Sequence, residues 1–341
     1  MHVLVTGATG FVGSHAVAAL LEAGHDVRCL VRRPERLDSA LATPTRERVG
    51  VAVGDVMDPD TVRAALDGCD AVLHAAGTVG VSRANTGSRD VNVEGTRNVV
   101  GLAVDAGCDP VVYTSTISVF DARGQVLTTE TPLGSPTGPY GRSKTAAERD
   151  VRTRQDAGAP VTTFYVGGVF GPDCPEVASG MQGIVGAVNQ LMPVTDGGVC
   201  IIDVRDLSAM IAASMVPGQG PRHFMAGGRY VDWTEWTDLL GEVTGRQLRR
   251  LRVPPSVLRG AGRLLDRIKR LRDFDYPLTY EAALQMTSSP RTDDRATVAA
   301  LGVEPRPLTE TLEDSIRWLV STGHIDPSKA PRLSEGLSRR W

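Results

Sequence analysis

The chain has 341 residues, of which 41% are hydrophobic and 23% are charged, and its formal net charge is −3. This composition is sufficient for a sizeable core, so it excludes both a disordered chain and a small scaffold held together by disulfides. The near-neutral charge gives no indication of nucleic acid or of an anionic membrane as a partner.

Short β-branched apolar runs alternate with helical patterns over the first half of the chain, which is typical of parallel βαβ winding. Strands are predicted at residues 2–6, 27–31, 49–53, 70–75, 110–115 and 161–166. Helices are predicted near residues 11–23, 60–67, 93–106 and 140–157. Six strands in this order predict an α/β fold of the Rossmann type, a doubly wound parallel sheet with a smaller C-terminal substrate-binding lobe.

A glycine-rich turn connects the first predicted strand to the first predicted helix. Its sequence is Gly7-Ala8-Thr9-Gly10-Phe11-Val12-Gly13. A pyrophosphate group requires backbone that comes close without Cβ atoms, and it requires N–H groups at the start of a helix to receive its charge. The turn therefore predicts a dinucleotide-binding site, with a plain tight turn as the alternative.

The second predicted strand ends in two arginines, Arg32 and Arg33, and it has no acidic residue at that end. A carboxylate there would bind the adenosine 2′-hydroxyl, whereas a guanidinium pairs with a 2′-phosphate. We therefore expect NADP(H) as the preferred cofactor. NAD(H) is kept as the alternative, because two solvated arginines at a strand end would give the same sequence.

The fifth predicted strand ends in hydroxyl side chains, Thr114-Ser115-Thr116. In a doubly wound sheet the carboxyl ends of the strands face the ligand crevice. Thr116 is therefore a candidate hydrogen-bond donor to a substrate oxygen, and Thr114 is a candidate cofactor contact. The alternative is that these hydroxyls only shape the turn after the strand.

A tyrosine and a lysine, Tyr140 and Lys144, lie four residues apart and so share one face of a predicted helix. A phenol with a pKa near ~10 is a poor base at neutral pH, and a nearby cation stabilises its phenolate. The two residues therefore predict a proton-transfer pair, with a chance match as the alternative. Together with the glycine turn and Thr116, they predict hydride chemistry at a nicotinamide.

The alternation of strands and helices fades after about residue 170, and a segment around His223-Phe224-Met225 is predicted to return one strand to the main sheet. We expect an NADP-binding domain at residues 1–172 with a returning segment near 200–228, a substrate lobe at 173–199 and 229–320, and a tail at 321–341.

Two apolar stripes at helical spacing lie in the predicted lobe. The first consists of Met181, Ile184, Val185, Val188 and Leu191. It is either the wall of an apolar substrate pocket or ordinary helix core. The second consists of Val257, Leu258, Ala261, Leu264, Leu265, Ile268 and Leu271, opposite a basic side. It predicts a lobe helix with a solvated polar face, with contact to an anionic membrane or a phosphate as the alternative.

The five cysteines are odd in number and form no C-x-x-C pair, which predicts a reducing compartment. The sequence begins with a strand pattern in place of a secretory signal. The charge-free stretch 177–195 contains three glycines and a proline, which argue against a membrane span. No histidine has a partner at metal-ligand spacing. We therefore expect a cytoplasmic protein with no metal site and no membrane contact.

Six motifs together resemble those of the extended short-chain dehydrogenase/reductase family, and they occur in that family's order. They are Thr6 through Gly13, Gly54-Asp55-Val56, His74-Ala75-Ala76-Gly77, Asn92-Val93-Glu94-Gly95-Thr96, Tyr140 through Lys144, and Gly168-Val169-Phe170-Gly171-Pro172. The likeness covers residues 1 to about 175, and beyond them only 202–206 and 312–319. It implies an NAD(P)-dependent enzyme that acts on CH–OH or C=O groups.

The resemblance also implies roles for individual residues. In the cofactor site, Asp55 would bind the adenine amino group and Val56 would pack on the ring. The further cofactor contacts that it implies are Gly7, Thr9, Gly10, Phe11, Val12 and Gly13 in the turn, Ala75, Ala76 and Gly77 at the ribose and pyrophosphate, and Gly167, Gly168 and Val169 near the nicotinamide. Asn92 would be a structural residue behind the site.

By the same resemblance, the catalytic set would be Thr116, Tyr140 and Lys144. Thr116 would orient the substrate oxygen, and Tyr140 would transfer its proton. Lys144 would bind the nicotinamide ribose and lower the pKa of the phenol.

Two departures bear on the branch of the family. Gly168 replaces the asparagine that holds sugar-nucleotide phosphates in epimerases and dehydratases, and Thr116-Ile117-Ser118 lacks the Asp-Glu pair of the dehydratases. The run Val31 through Pro34 and the segment 55–70 are more similar to dihydroflavonol-reductase-like and hydroxysteroid-dehydrogenase-like members. Those members act on fairly apolar ketones and secondary alcohols.

The sequence thus predicts an NADP(H)-dependent oxidoreductase that reduces a ketone or aldehyde or oxidises a secondary alcohol. The first alternative is an NAD-dependent nucleotide-sugar 4-epimerase, and the second is a non-catalytic NADP-binding sensor. The expected partner is a small, fairly apolar substrate and not nucleic acid, and a homodimer is left open.

Overall fold

The computed structural model describes residues 1–78, 90–121, 124–136, 138–177, 179–271 and 280–334. The strands in this part of the chain are β1 (His2–Thr6), β2 (Asp26–Val31), β3 (Val49–Val53), β4 (Ala71–His74), β5 (Val111–Thr116), β6 (Val161–Val166), β7 (Gly168–Phe170), β8 (Met192–Val194), β9 (Gly198–Asp203), β10 (Arg222–Ala226), β11 (Arg229–Asp232) and β12 (Arg250–Arg252).

Seven strands form one parallel sheet in the order β3-β2-β1-β4-β5-β6-β10. The direction of winding changes between β1 and β4. In a doubly wound sheet this is the place where the strand ends open a crevice for a ligand. The turns that follow β1 and β4 therefore border the candidate site.

Helices connect these strands and build the rest of the chain. They are α1 (Phe11–Glu22), α2 (Glu35–Ala40), α3 (Thr43–Arg46), α4 (Pro59–Leu66), α5 (Thr96–Asp105), α6 (Pro139–Asp156), α7 (Ser179–Asn189), α8 (Val204–Ala213), α9 (Trp233–Thr244), α10 (Pro255–Leu271), α11 (Tyr280–Ser288), α12 (Arg295–Leu301), α13 (Leu308–Ser321) and α14 (Pro331–Ser334).

The structure confirms the predicted α/β fold of the Rossmann type, and most boundaries differ from the prediction by one residue. The largest difference is at α5, which begins at Thr96 and not near residue 93. A wider π-helical turn, Val91–Gly95, precedes it, and the Asp90 carboxylate caps this turn by accepting from the backbone N–H of Asn92. Such single-turn π segments are frequent at functional sites.

Both faces of the main sheet are covered, which explains why its strands are near-continuous apolar runs. On one face, α1 and α8 contribute Val17, Leu20, Leu207 and Ile211 to a fully buried cluster. On the other face, α4, α5 and α6 contribute residues such as Val62. Burial on both faces fixes the sheet as a rigid platform for the residues at its edge.

The returning strand is confirmed, because β10 pairs in parallel with β6 and places Phe224 opposite Phe164. The rest of the returning segment takes a different course from the prediction. The strand β9 pairs with β7 and β11 in a separate three-stranded sheet. Two further strands, β8 and β12, pair in parallel.

A second apolar cluster lies in the C-terminal part of the chain, where α7, α9 and α13 meet. Met181, Ile184 and Val188 are buried in it. This favours helix core over a pocket wall as the role of the first stripe. Leu191 lies beyond the end of α7 and is exposed, so the stripe is shorter than predicted.

The predicted tail at 321–341 is also shorter than expected. Ile325, Ala330 and Leu333 are buried in the same cluster, so the chain packs on the lobe as far as α14. These apolar residues are spaced too irregularly for a sequence pattern to reveal them. Residues 335–341 lie outside the described part of the chain.

The prediction of a solvated polar face for α10 holds in part, because Arg263 and Arg267 are exposed and Leu258 of the apolar stripe is buried. Arg259 and Asp266, on the polar side of α10, form hydrogen bonds with α11. Val257, Leu264 and Ile268, in the apolar stripe, are exposed. Periodicity identifies the two sides of a helix but does not decide which side packs inward.

No helix in the described residues combines the length and the apolar character that a membrane crossing requires. Within the same residues, no cluster of three or more His, Cys, Asp or Glu side chains could hold a metal ion.

Candidate active site

The glycine turn between β1 and α1 has a geometry that only glycine fits. Gly7 has a φ of +80°, and a Cβ atom there would lie 2.6 Å from the carbonyl carbon of Ala75 and from the backbone nitrogen of Ala76. A Cβ atom on Gly13 would collide with the carbonyl oxygen of Gly7. The missing side chains let the first turn of α1, the end of β1 and the end of β4 approach each other, as a pyrophosphate cradle requires.

The start of α1 leaves backbone donors for a ligand. Its N-cap residue is Gly10, and no side chain caps this end. The first N–H groups of any helix have no acceptor within the helix, and they carry the positive end of the helix dipole. Thr9, Phe11 and Val12 lie at this end and are partly exposed. The turn therefore fits a dinucleotide phosphate.

The candidate residues for the adenosine end lie together beyond β2 and β3. Arg32 and Arg33 are exposed, and Arg32 Nη1 lies 3.9 Å from Asp55 Oδ2. The other carboxylate oxygen of Asp55 accepts from the backbone N–H of Met57 at 3.0 Å. Val56 packs against the apolar cluster that includes residues of α4 and α5, and its carbonyl oxygen accepts from Asn98 of α5. The structure thus brings these residues to the same edge of the sheet, as the motifs predict.

The ammonium group of Lys144 is fixed inside the protein. Lys144 is 6% exposed, and its Nζ donates to the Tyr113 hydroxyl at 3.0 Å and to the Thr114 carbonyl oxygen at 2.9 Å. Burial lowers the pKa of Lys144, while charges on Tyr140 and Glu148 raise it. An ammonium has three N–H donors, and two are used within the described residues. The third is available to a ligand oxygen.

Tyr140 lies one turn before Lys144 at the start of α6, and its side chain is partly exposed. The start of α6 packs on the turn Ile117–Val119 that follows β5, where a Cβ atom on Gly141 would lie 3.9 Å from the Ser118 carbonyl oxygen. The packing of α6 on this turn places the helix start that carries Tyr140 near the end of β5, the strand that carries Thr116.

Thr116 ends β5 and is 7% exposed. Its Oγ1 accepts from the backbone N–H of Ser118 at 3.2 Å and lies 3.3 Å from the Ser118 hydroxyl. Alternation along a strand puts Thr116 on the same face as Thr114, whose carbonyl oxygen binds Lys144. The Thr116 hydroxyl therefore caps the turn after β5. Thr116 lies two residues after Thr114, whose carbonyl oxygen accepts from Lys144.

The remaining cofactor candidates lie at other strand ends. Ala75, Ala76 and Gly77 follow β4 directly, and Ala75 donates its backbone N–H to the Thr6 carbonyl oxygen at 3.1 Å. Gly167 connects β6 to β7, and Gly168 and Val169 are the first two residues of β7. A Cβ atom on Gly167 would collide with the carbonyl oxygen of Gly227, so this crossing also depends on glycine.

A buried polar network behind the site was not predicted from the sequence. His74 Nδ1 lies 2.7 Å from Thr6 Oγ1, and His74 Nε2 lies 3.1 Å from Thr96 Oγ1. The Tyr113 ring stacks on the His74 ring with centroids 5.8 Å apart, and the Tyr113 hydroxyl accepts from Lys144. The network links the lysine to the residue that precedes Gly7. Polar residues in otherwise apolar strands are its only sequence signal.

Asn92 supports α6 from the side of β4. Its Nδ2 donates to the Ser143 hydroxyl at 3.0 Å and to the Thr78 carbonyl oxygen at 3.1 Å, and its Oδ1 accepts from the backbone N–H of Thr78 at 2.9 Å. Ser143 in turn donates to the Tyr140 carbonyl oxygen at 3.0 Å. The predicted structural role of Asn92 is therefore visible as a bridge between the loop after β4 and the tyrosine turn.

The variant His74→Gln is expected to make stability less sensitive to mild acid. Burial, and to a smaller extent the charge of Lys144, lowers the pKa of His74 to about 3 from its ordinary value of 6.5. Below pH 6.5 the unfolded chain binds a proton that the folded protein does not, so this group's contribution to stability is lost as the pH falls. The loss is about 2 kcal/mol between about pH 7.5 and pH 5.

Urea unfolding at these two pH values measures the effect. The free energy of unfolding of the wild type should fall more than that of His74→Gln, by about 2 kcal/mol. If the free energy of unfolding falls equally in the two proteins, His74 is protonated in the folded state and is not kept neutral by its burial in the network.

The comparisons with known proteins agree on one enzyme family. Residues 3–194 match the NAD dependent epimerase/dehydratase family. Sterol demethylase protein B of Methylococcus capsulatus is 30% identical over 342 residues, which cover 95% of this chain and 100% of that protein. A putative dihydroflavonol 4-reductase of Synechocystis is 26% identical over 94% of this chain and 95% of its own length.

Proteins that act on nucleotide sugars are also among the relatives. The UDP-glucose 4-epimerase of Neisseria meningitidis serogroup A is 29% identical over 93% of this chain and 97% of that protein. The solved structure of MoeE5 in complex with UDP-glucose and NAD is 25% identical, with a TM-score of 0.71 over 94% of this chain and 99% of that chain.

Proposed function

The chain belongs to the NAD dependent epimerase/dehydratase family of enzymes, and from this premise we propose that it is an NADP(H)-dependent oxidoreductase that reduces a ketone or aldehyde or oxidises a secondary alcohol. The observation that carries the proposal is the position of Lys144. Its ammonium is anchored on the end of β5 at the Thr114 carbonyl oxygen, one helical turn from Tyr140. This is the arrangement that a phenol needs to exchange a proton near neutral pH.

Three residues of the chain handle the substrate oxygen in this proposal. In the reducing direction, the Tyr140 hydroxyl donates its proton to the carbonyl oxygen. The Thr116 hydroxyl holds that oxygen by a second hydrogen bond. Lys144 keeps a positive charge beside the phenolate that remains, and its third N–H would hold the nicotinamide ribose. A bound reduced nicotinamide supplies the hydride to the carbonyl carbon.

The reaction is tested by following the absorbance of reduced nicotinamide while NADPH is mixed with a panel of apolar ketones and aldehydes. We expect net consumption of NADPH with at least one member of the panel. The same assay in reverse, with NADP and the corresponding alcohol, should regenerate the absorbance. Absence of turnover in both directions with every compound would contradict the oxidoreductase.

The proposed cofactor preference rests on Arg32 and Arg33. Replacing Arg33 by alanine is expected to weaken NADPH binding by about tenfold or more, since charge-assisted hydrogen bonds to a phosphate contribute about 1.5–3 kcal/mol. NADH binding should change little, because NADH lacks the 2′-phosphate. Arg36→Ala is the matched control, because Arg36 is an exposed arginine nearby that pairs with Glu176.

Fluorescence titration with both cofactors measures this difference. A wild-type protein that binds NADH more tightly than NADPH would contradict the NADP part of the proposal. An equal weakening of NADPH binding and NADH binding in Arg33→Ala would show that the arginine has a structural role.

The proposed substrate is a fairly apolar ketone or alcohol. The two relatives named for a sterol and a dihydroflavonol support this class, and so do the glycine at position 168 and the acid-free run after Thr116. We propose that it is bound between the NADP-binding domain (residues 1–172, with a returning segment) and the lobe (173–199 and 229–320). The five cysteines are free, which supports a reducing, cytoplasmic environment.

A nucleotide-sugar 4-epimerase is the second candidate, and the epimerase relatives favour it. An epimerase would oxidise and reduce the same sugar on a retained cofactor, so it would show no net change of nicotinamide. Absorbance of the purified protein in the reduced-nicotinamide band, before and after addition of UDP-glucose, separates the two. A retained cofactor and conversion of the sugar would establish the epimerase and overturn the reductase.

A further inference from the structure

Helix α10 is attached to the protein through polar side chains. Arg259 Nε donates to Thr287 Oγ1 at 2.8 Å, and Asp266 Oδ2 accepts from the backbone N–H of Tyr280 at 3.1 Å. Arg263 donates to the Tyr280 hydroxyl at 2.8 Å, with its guanidinium 4.5 Å from the ring centroid. A surface helix ordinarily packs its apolar stripe on the core. Here three polar residues of α10 form hydrogen bonds with α11.

Three large side chains of the apolar stripe of α10 are left in solvent. Val257 is 58% exposed, Leu264 is 57% exposed and Ile268 is 38% exposed. Their spacings of seven and four residues place them on one side of the helix. Leu258, which belongs to the same stripe, is buried. Three exposed large apolar side chains in a row are a surface that water solvates poorly.

The segment around this stripe is strongly basic, although the whole chain has a net charge of −3. Nine of the residues in 249–272 are basic and Asp266 is the only acidic one. The basic residues are Arg249, Arg250, Arg252, Arg259, Arg263, Arg267, Lys269, Arg270 and Arg272. Arg250 and Arg252 lie beside carboxylates on other elements. The unbalanced charge therefore belongs mainly to α10.

We propose that the α10 face, defined as Val257, Leu264 and Ile268 with Arg267, docks on an anionic lipid surface. The helix would lie in the plane of the interface, with the apolar stripe among the acyl chains and Arg267 at the head groups. No described helix is suited to crossing a membrane, so contact with one leaflet is the mode that fits. The apolar stripe favours lipid over nucleic acid, whose backbone offers it no partner.

The proposal goes beyond the reaction and is tested without an activity assay. The full-length protein is mixed with vesicles of phosphatidylcholine alone or of phosphatidylcholine and phosphatidylglycerol, and the bound fraction is measured by sedimentation. We expect at least about tenfold stronger binding to the anionic vesicles, decreasing with salt. The double variant Leu264→Glu, Ile268→Glu should lose at least about tenfold of this binding.

Val216→Glu is the matched control, because Val216 is 45% exposed and lies outside α10. It should bind vesicles like the wild type, and circular dichroism should show both variants folded. Equal binding to the two vesicle compositions, or no binding to either, would overturn the proposal. A dimer in lipid-free buffer that the double variant converts to monomers would also overturn it, since a second copy would then cover the face.

Discussion

Replacing Tyr140 by phenylalanine is expected to lower kcat by about 10³-fold, since a positioned general acid typically contributes about 10²–10⁴-fold. The phenol is the proposed proton donor, and the phenylalanine ring keeps its shape without the hydroxyl. Tyr140 is partly exposed at the start of α6, so the loss of its hydroxyl leaves the packing of the helix in place. Binding of NADPH should therefore stay within about twofold of the wild type. Single-turnover kinetics and a fluorescence titration measure the two quantities.

Tyr113→Phe is the matched control for this variant, since it removes a hydroxyl that also contacts Lys144 but lies fully buried behind the site. It should lower kcat by much less than Tyr140→Phe does. If Tyr140→Phe retains full turnover, the phenol takes no part in the reaction. A biological activity that survives the loss of turnover would favour the cofactor-binding sensor.

Replacing Lys144 by methionine is expected to lower kcat by about 10²-fold or more and also to weaken cofactor binding. The lysine has two proposed tasks, to stabilise the phenolate of Tyr140 and to donate to the nicotinamide ribose, and methionine performs neither. The side chain is buried, and its removal leaves the Tyr113 hydroxyl and the Thr114 carbonyl oxygen without their donor. A combined loss in kcat and in cofactor affinity therefore distinguishes Lys144→Met from Tyr140→Phe.

The pH profile gives a second measurement on the lysine. Burial lowers the pKa of Lys144, and the charged form is the one that assists Tyr140. Activity in the wild type should therefore decline with rising pH below the ordinary lysine range near ~10.4. In Tyr113→Phe the ammonium loses one acceptor, so its pKa should fall further and the decline should move to lower pH. An unchanged profile would show that Tyr113 does not position the lysine.

Much of the fold could be predicted because its signals are local. Each strand of the main sheet before β10 is a run of apolar residues, and each connecting helix has its own period. The strand β6 was predicted at residues 161–166 and lies at Val161–Val166. The start of α5 could not be predicted, because a π-helical turn preserves much of the periodicity of the helix that it precedes.

The candidate site likewise has a part that could be predicted from the sequence and a part that could not. Gly7, Tyr140 and Lys144 could be singled out because their chemistry depends on short spacings along the chain. The network behind them could not, because His74 and Thr6 are 68 residues apart, and Lys144 and Tyr113 are 31 apart. Contacts at such separations depend on the strand order of the sheet. Which residues of the α10 stripe face solvent likewise depends on the polar contacts between α10 and α11.

A crystal structure of the protein with NADP bound tests the central claim most directly. The account predicts the nicotinamide ring beside the Tyr140 hydroxyl and the Thr116 hydroxyl, the ribose within hydrogen-bond distance of Lys144 Nζ, and the 2′-phosphate at Arg33. A nicotinamide ring placed away from these three side chains, or a Tyr140 hydroxyl pointing into solvent in that complex, would contradict it.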